Sequence, residues 1–336
     1  MIFSKPLLAV FLFSLVSPFS LFSRGNGEKV SVNEVVVWTY DSFNSEWGPG
    51  QMVAKRFFEQ TGVAVRWVSH GDTGAVLSRL LLEGESANAD VIVGLDQNYA
   101  EKALNSGLFE PYKPVGMERI FPELLLDLSF RLIPFDYSYF SIVYDSEKIP
   151  NPPKSLEDLT SPDYAKKLIL MDPRTSSPGL GFFAWIKAVY GKDWQAYWRR
   201  LSPSILTIAE SWDTGYGLFT AGEAPLVLSY TTSPGYHLEY EGTERYKASL
   251  FTEGHPLQIE TAGLLANAKN KDAAKKFLDF MLSEQFQELI PLTNWMYPVI
   301  NIPLPDSFRI NPKSDKSLAP PPPSQADLDE WTAVMR

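Results

Sequence analysis

The chain has 336 residues, 45% of them hydrophobic, with 40 acidic against 30 basic side chains, a formal net charge of −10 and no cysteine. That length and apolar content exclude a disordered protein and suggest two domains. The negative balance excludes a general nucleic-acid surface, which needs a basic patch to displace counterions, and the missing cysteines exclude a disulfide framework, thiolate metal sites and a cysteine nucleophile.

The first residues read as a secretory signal. Lys5 precedes an apolar run from Leu7 to Val16, and a stretch containing Ser and Pro follows to Ser23, which is the order of a basic n-region, a short h-region and a cleavage zone. Residues 1–23 are therefore expected to be a cleaved signal peptide, and export without cysteine points to a bacterial periplasm. An uncleaved membrane anchor is the alternative, weakened by Pro18 and the serines in the run. No later segment approaches the length of a membrane span.

From Glu34 to Phe109 strands and helices alternate. VVVWTY (35–40), VAVRWV (63–68) and ADVIVGL (89–95) read as strands, with amphipathic helices over 50–61 and 73–83 and a short helix to Asn105. Helical crossovers make such strands parallel. RLIPFDYSYFSIVYDSEKI (131–149) predicts a long strand suited to crossing between two lobes. A Ser155-capped helix, a strand over 167–173 and a helix near Gly179, with Ser177 as N-cap and Pro178 at its first position, come next.

LVLSYTTSPGYHLEY (226–240) predicts an apolar strand running into a turn that carries Tyr230, Tyr236 and Tyr240. HPLQIETAGLLANAKN reads as a strand returning to the first lobe, 271–289 as one helix with a buried stripe, and TNWMYPVIN (293–301) as an aromatic loop. Beyond Pro303 the proline-rich tail is expected to be extended surface chain.

In open parallel sheets ligands bind at the carboxyl ends of the strands, and those ends here carry Asp41, Asp72 and Asp96. Asp72 and Asp96 also suit helix N-caps. Rings flanked by hydroxyls, as around Tyr230 and Tyr236, suit a flat, partly polar small molecule. The three histidines form no metal-ligand spacing, and no GxSxG elbow, Walker loop or GxGxxG occurs. A binding protein with no cofactor and no metal is expected, rather than an enzyme.

Six blocks carry a resemblance: TYDSFNSEWGPG (39–50), ADVIVGLDQN (89–98), PFDYSYFSIVYD (134–145), DPRTSSPGLG (172–181), LVLSYTTSPGYH (226–237) and NWMYPV (294–299). Together the chain resembles the periplasmic thiamine-binding proteins of ABC importers, within the two-lobed class that also holds iron(III)- and polyamine-binding proteins. The resemblance implies an α/β, two-lobed periplasmic-binding-protein fold of type II, with lobe 1 over 31–136 and 257–305, lobe 2 over 137–256 and a C-terminal extension over 306–336. It implies thiamine or its phosphate esters as ligand, an inner-membrane permease as partner and a monomer. Carried over block by block, Tyr236 and Trp295 resemble the stacking pair, Tyr40, Trp47, Trp212 and Tyr230 the pocket lining, and Ser176 a contact to the hydroxyethyl or phosphate end. Asp41 or Asp72 is the acid expected to meet a thiazolium cation, with Asp96 a third acid expected at the same crevice. Iron(III) or polyamine capture, and a thiamine-processing enzyme, are the alternatives.

Overall fold

The computed structural model describes residues 33–336, so the expected signal peptide lies outside the described residues. The first part runs β1 (Glu34–Thr39), α1 (Gly50–Thr61), β2 (Ala64–Ser69), α2 (Thr73–Glu83), β3 (Val91–Asp96) and α3 (Gln97–Asn105). These fall within two residues of their predicted places. β1 and β3 are continuous apolar strands because the sheet is covered on both faces there.

β4 (Ile133–Asp145) then leads into β5 (Leu168–Met171), α4 (Ser177–Tyr190), α5 (Trp194–Leu201), β6 (Ile205–Ala209), α6 (Trp212–Thr220), β7 (Leu226–Tyr230), α7 (Ser233–Glu241) and β8 (Tyr246–Ala248). The return passes through β9 (His255–Leu264), α8 (Lys271–Met281), α9 (Glu284–Gln287), α10 (Ile290–Thr293) and β10 (Tyr297–Pro298), and the tail adds β11 (Ser317–Leu318) and α11 (Gln325–Val334).

Hydrogen-bonded neighbours run in the order β2-β1-β3-β9-β4-β7-β5-β6. β1 pairs in parallel with β2 and β3, and β5 in parallel with β6 and β7. Between these parallel halves lie β9 and β4, both antiparallel to their neighbours. Residues Ile133–Tyr139 of β4 pair with β9, and Phe140–Tyr144 pair with β7. One long strand thus belongs to both halves, as its length suggested. Each half has its own core: Phe57, Phe135, Phe277 and Phe286 pack in the first, Phe182, Trp185, Trp198 and Phe219 in the second.

Several local expectations change. The helix expected over 271–289 breaks at Leu282, because the Ser283 hydroxyl accepts a hydrogen bond from Phe286 N at 3.3 Å and starts α9. The aromatic turn after β7 is the first turn of α7, entered through Ser233 and Pro234. α4 starts at Ser177 with Ser176 at its N-cap position, one residue earlier than expected. Ser155 caps only a short 3-10 turn, Glu157–Thr160, through Asp158 N at 3.0 Å.

The tail is also more ordered than extended chain. Ser324 and Asp327 form a reciprocal capping box at the start of α11, Trp331 is buried against Trp198, and Lys187 pairs with Asp327 at 2.5 Å. Leu328 packs on the core of the second half and on a cluster that joins Leu77, Ile92 and Tyr99 of the first half to Leu180 of α4. Among the described residues no helix is long and apolar enough to cross a membrane.

Candidate ligand-binding site

The carboxyl ends of β1 and β7 face each other across the antiparallel pair β9 and β4, and a cavity of about 190 Å³ opens between them. Glu260 and Gln258 of β9 line its floor, with Tyr40 just after β1 and Tyr230 at the end of β7. Trp47 from the loop before α1, Trp212 and Tyr216 from α6, Tyr236 from α7 and Trp295 after α10 form the walls.

The aromatic walls are held by contacts among themselves and with neighbouring hydroxyls. Trp212 stacks on Tyr216 at 4.9 Å and 18°, and its Nε1 donates to Ser229 Oγ at 2.9 Å. Trp47 stands 6.1 Å from Trp212 and is 47% exposed, at the mouth. Tyr236 and Trp295 lie 5.4 Å apart with their planes at 87°. A flat ligand sandwiched between two rings needs roughly 7 Å from ring to ring, twice a carbon contact distance. These two therefore form a corner that offers one face and one edge. Trp295 also has φ of 57°, an uncommon left-handed conformation for a bulky residue. Its amide donates to Ile290 O at 3.1 Å, and its ring stacks on Phe308.

Of the ten expected site residues, Tyr40, Trp47, Asp72, Trp212, Tyr230, Tyr236 and Trp295 line this one cavity, whereas Asp41, Asp96 and Ser176 do not. Asp41 is exposed and bonds locally, accepting from Gly71 N at 3.1 Å. Asp96 is buried behind the wall, capping α3 through Asn98 N at 2.9 Å and accepting from Ser177 Oγ. Ser176 is buried beside Asp72, and it is Ser177 and Pro178 that reach the cavity.

Glu260, Gln258, Asn294 and Asp213 line the site without having been expected there. Glu260 and its neighbour Asp136 sit in mid-strand, away from the strand ends where ligand contacts are normally sought. An acid inside each apolar run, FDYSYF and LQIETAG, was the available signal. A second was the Ser-Pro-Gly start shared by α4 and α7, which brings Ser177, Pro178 and Ser233 to the cavity.

The electrostatics have one sign. Among the described residues no Lys, Arg or His lines the cavity. Burial raises the Asp72 carboxyl above its ordinary value, against N–H donors from Trp212 and Thr73, and pushes Asp96 up to about 6. Asp136 and Glu260 are raised as well, by burial first and, for Glu260, by the Asp136 charge next. Tyr40 donates to Glu260 at 2.7 Å, and Asn294 donates to Asp136 at 2.7 Å. Such a pocket can hold a flat cation by ring faces and acceptors together.

Comparison with known proteins agrees with this architecture. Residues 86–326 match the family described as bacterial extracellular solute-binding protein. The chain is 44% identical over 335 residues to the thiamine-binding periplasmic protein of Brucella abortus, covering 98% of each, and 42% identical to that of Escherichia coli, covering 88% of this chain and 92% of the relative. A solved periplasmic thiamin binding protein superposes with a TM-score of 0.86 at 41% identity, covering 90% of this chain and 96% of that one. The two-lobed α/β architecture and these relatives agree: the chain belongs to the bacterial extracellular solute-binding proteins, on the branch of the thiamine-binding periplasmic proteins.

Proposed function

We propose that this protein captures thiamine in the periplasm, as a monomer freed of its signal peptide, and delivers it to the permease of an ABC importer. The observation that carries the reading is a cavity joining aromatic faces to buried carboxylates, with no basic side chain in its lining among the described residues. A thiazolium is a permanent cation, drawn to both features. Its aminopyrimidine partner presents donors and acceptors to Glu260, Gln258 and Asn294.

Phosphate esters would meet the N-termini of α4 and α7, whose first residues reach the cavity and whose positive dipole ends suit an anion. Closure would turn on β4 and β9, between lobes spanning 31–136 with 257–305 and 137–256. The relatives' names favour carriage over catalysis. Iron(III) capture explains less, since hard-oxygen chemistry needs none of the cavity's tryptophans. Among the described residues no three of His, Asp and Glu gather as metal ligands.

Titration calorimetry with thiamine and thiamine monophosphate, beside native mass spectrometry of the purified protein, tests the reading. Saturable binding of either is expected. Failure of both to bind, together with a tyrosinate-to-iron absorption band on adding ferric ion, would overturn it.

A further inference from the structure

Three adjacent strands bring one carboxylate each to the same level of the sheet. Asp96 of β3 stands opposite Glu260 of β9, and Glu260 stands opposite Asp136 of β4. Two irregularities create this row. β3 carries Gly94 as an extra residue between the pairs Val93–Ala262 and Leu95–Thr261, and β4 carries Phe135 between Pro134–Thr261 and Asp136–Glu260. With regular ladders Leu95 and Phe135 would face Glu260. The bulges put acids there instead, although like charges directly opposite one another destabilise a sheet.

The two inner acids are tied together by neutral groups. Asn294 Nδ2 donates to Asp136 Oδ2 at 2.7 Å and to Tyr40 OH at 3.1 Å, and Tyr40 OH in turn donates to Glu260 Oε2 at 2.7 Å. Gln258 Nε2 reaches Glu260 Oε1 at 3.0 Å, while Asp136 Oδ1 is buried with no partner. The titratable groups that bear on the pair are Asp96 on β3, Asp72 before α2, Tyr40 after β1 and Tyr230 on β7. None is basic. Among the described residues no Lys, Arg or His hydrogen-bonds to Asp136 or Glu260. Two such carboxylates cannot both remain ionised without a cation.

We propose that Asp136 and Glu260 share one proton in the empty cleft and release it to solvent when the ligand's fixed cation arrives, with Glu260 as the cation's counter-charge. The proposal rests on the thiamine reading of the cavity. The exchange balances: a carboxyl O–H breaks, the proton leaves to buffer, and the thiazolium charge replaces it, so the net charge of the site is unchanged. Glu260 lines the cavity and Asp136 lies behind Asn294, which makes Glu260 a recognition residue and Asp136 a positioning one. A neutral ring of the same shape would leave the proton in place. The pair therefore favours a permanent cation over a neutral analogue, increasingly so as pH rises toward the pair's upper titration.

Titration calorimetry of the whole protein with thiamine at neutral pH, in phosphate and in Tris, reads the protons exchanged from the difference in apparent enthalpy. Release of up to about one proton per thiamine is expected, with affinity strengthening by up to roughly tenfold per pH unit below the pair's upper titration. Neutral thiochrome, if it binds, should release none. Glu260→Gln and Asp136→Asn, checked for folding by thermal melting, should each abolish most of the release. Thiamine binding with equal enthalpies in the two buffers, after correction for dilution, would overturn the proposal while leaving the thiamine reading intact. Loss of thiamine binding altogether in the wild-type protein would sink both.

Discussion

The Asp72 carboxylate accepts a hydrogen bond from the backbone N–H of Trp212 at 3.0 Å, across 140 positions of sequence, while its other oxygen accepts from Thr73 N at 2.7 Å. One side chain thus caps α2 in the first half and receives the start of α6 from the second. Hydrogen bonds to a charged group contribute about 1.5–3 kcal/mol. Asp72→Ala should therefore weaken thiamine binding by roughly ten- to a hundredfold, and calorimetry beside small-angle scattering would read both affinity and closure. Unchanged affinity would detach this contact from ligand capture.

Gly74, in the first turn of α2, sits against the loop that precedes α4. A Cβ there would lie 2.6 Å from Thr175 O and 2.5 Å from Tyr99 OH. The carbonyl is backbone from the second half and cannot swing away as a flexible side chain would. Gly74→Ala should therefore act as a wedge: thiamine affinity falls severalfold or more while the melting temperature of the ligand-free protein changes little. A large drop in that melting temperature with unaltered affinity would place the effect inside the first half instead.

Trp295→Ala should cost about 1–3 kcal/mol of thiamine binding, the range for losing a desolvated stacking and cation–π partner. Thiamine should also quench the tryptophan emission of the wild-type protein, because Trp47, Trp212 and Trp295 all face the cavity. Retention of full quenching and affinity in Trp295→Ala would remove that ring from ligand contact.

Stability should depend on pH with a sign set by the buried acids. Asp96 is raised to about 6, and Asp72, Asp136 and Glu260 are also raised. A carboxyl with a raised folded value binds its proton more readily folded than unfolded, so the ligand-free protein gains stability as pH falls from neutral toward the ordinary carboxylate range. Asp96 alone accounts for up to about 3 kcal/mol. Asp145 and Glu157 are held low, by hydrogen bonds from Arg245 and Arg200, and their contribution is lost only below that range. A melting-temperature maximum at mildly acidic pH is expected; a maximum at or above pH 8 would contradict it.

The first strand–helix alternation was legible because its apolar runs have the lengths and periods that a doubly covered parallel sheet imposes. Part of the aromatic lining was legible in the pattern too, since Tyr40 and Trp47 follow one apolar strand and Tyr230 and Tyr236 end another, whereas Trp212 and Trp295 came from the family resemblance alone. What escaped depends on register. Whether Asp136 faces Glu260 is decided by a single extra residue, Phe135, and single-residue shifts carry no signature in periodicity. The same one-residue scale separates Ser176, buried at the cap position of α4, from Ser177, which reaches both Asp96 and the cavity. Asp41, flanked by aromatic residues in sequence, stands outside the cavity lining and accepts from Gly71 N.

The last helix has a mechanical consequence. Asp327, Glu330 and Trp331 hold α11 to α4 and α5 through Lys187, Gln195 and Trp198, so it must travel with the second half. Leu328, on that same helix, lines a small pocket together with Leu77 and Tyr99 of the first half and Leu180 of α4. If the halves part as the proposed capture requires, this leucine would leave Leu77 and Tyr99, exposing hydrocarbon outside the candidate site. The C-terminal helix would then act as a weak apolar catch, and a protein shortened before Ser324 should open more freely.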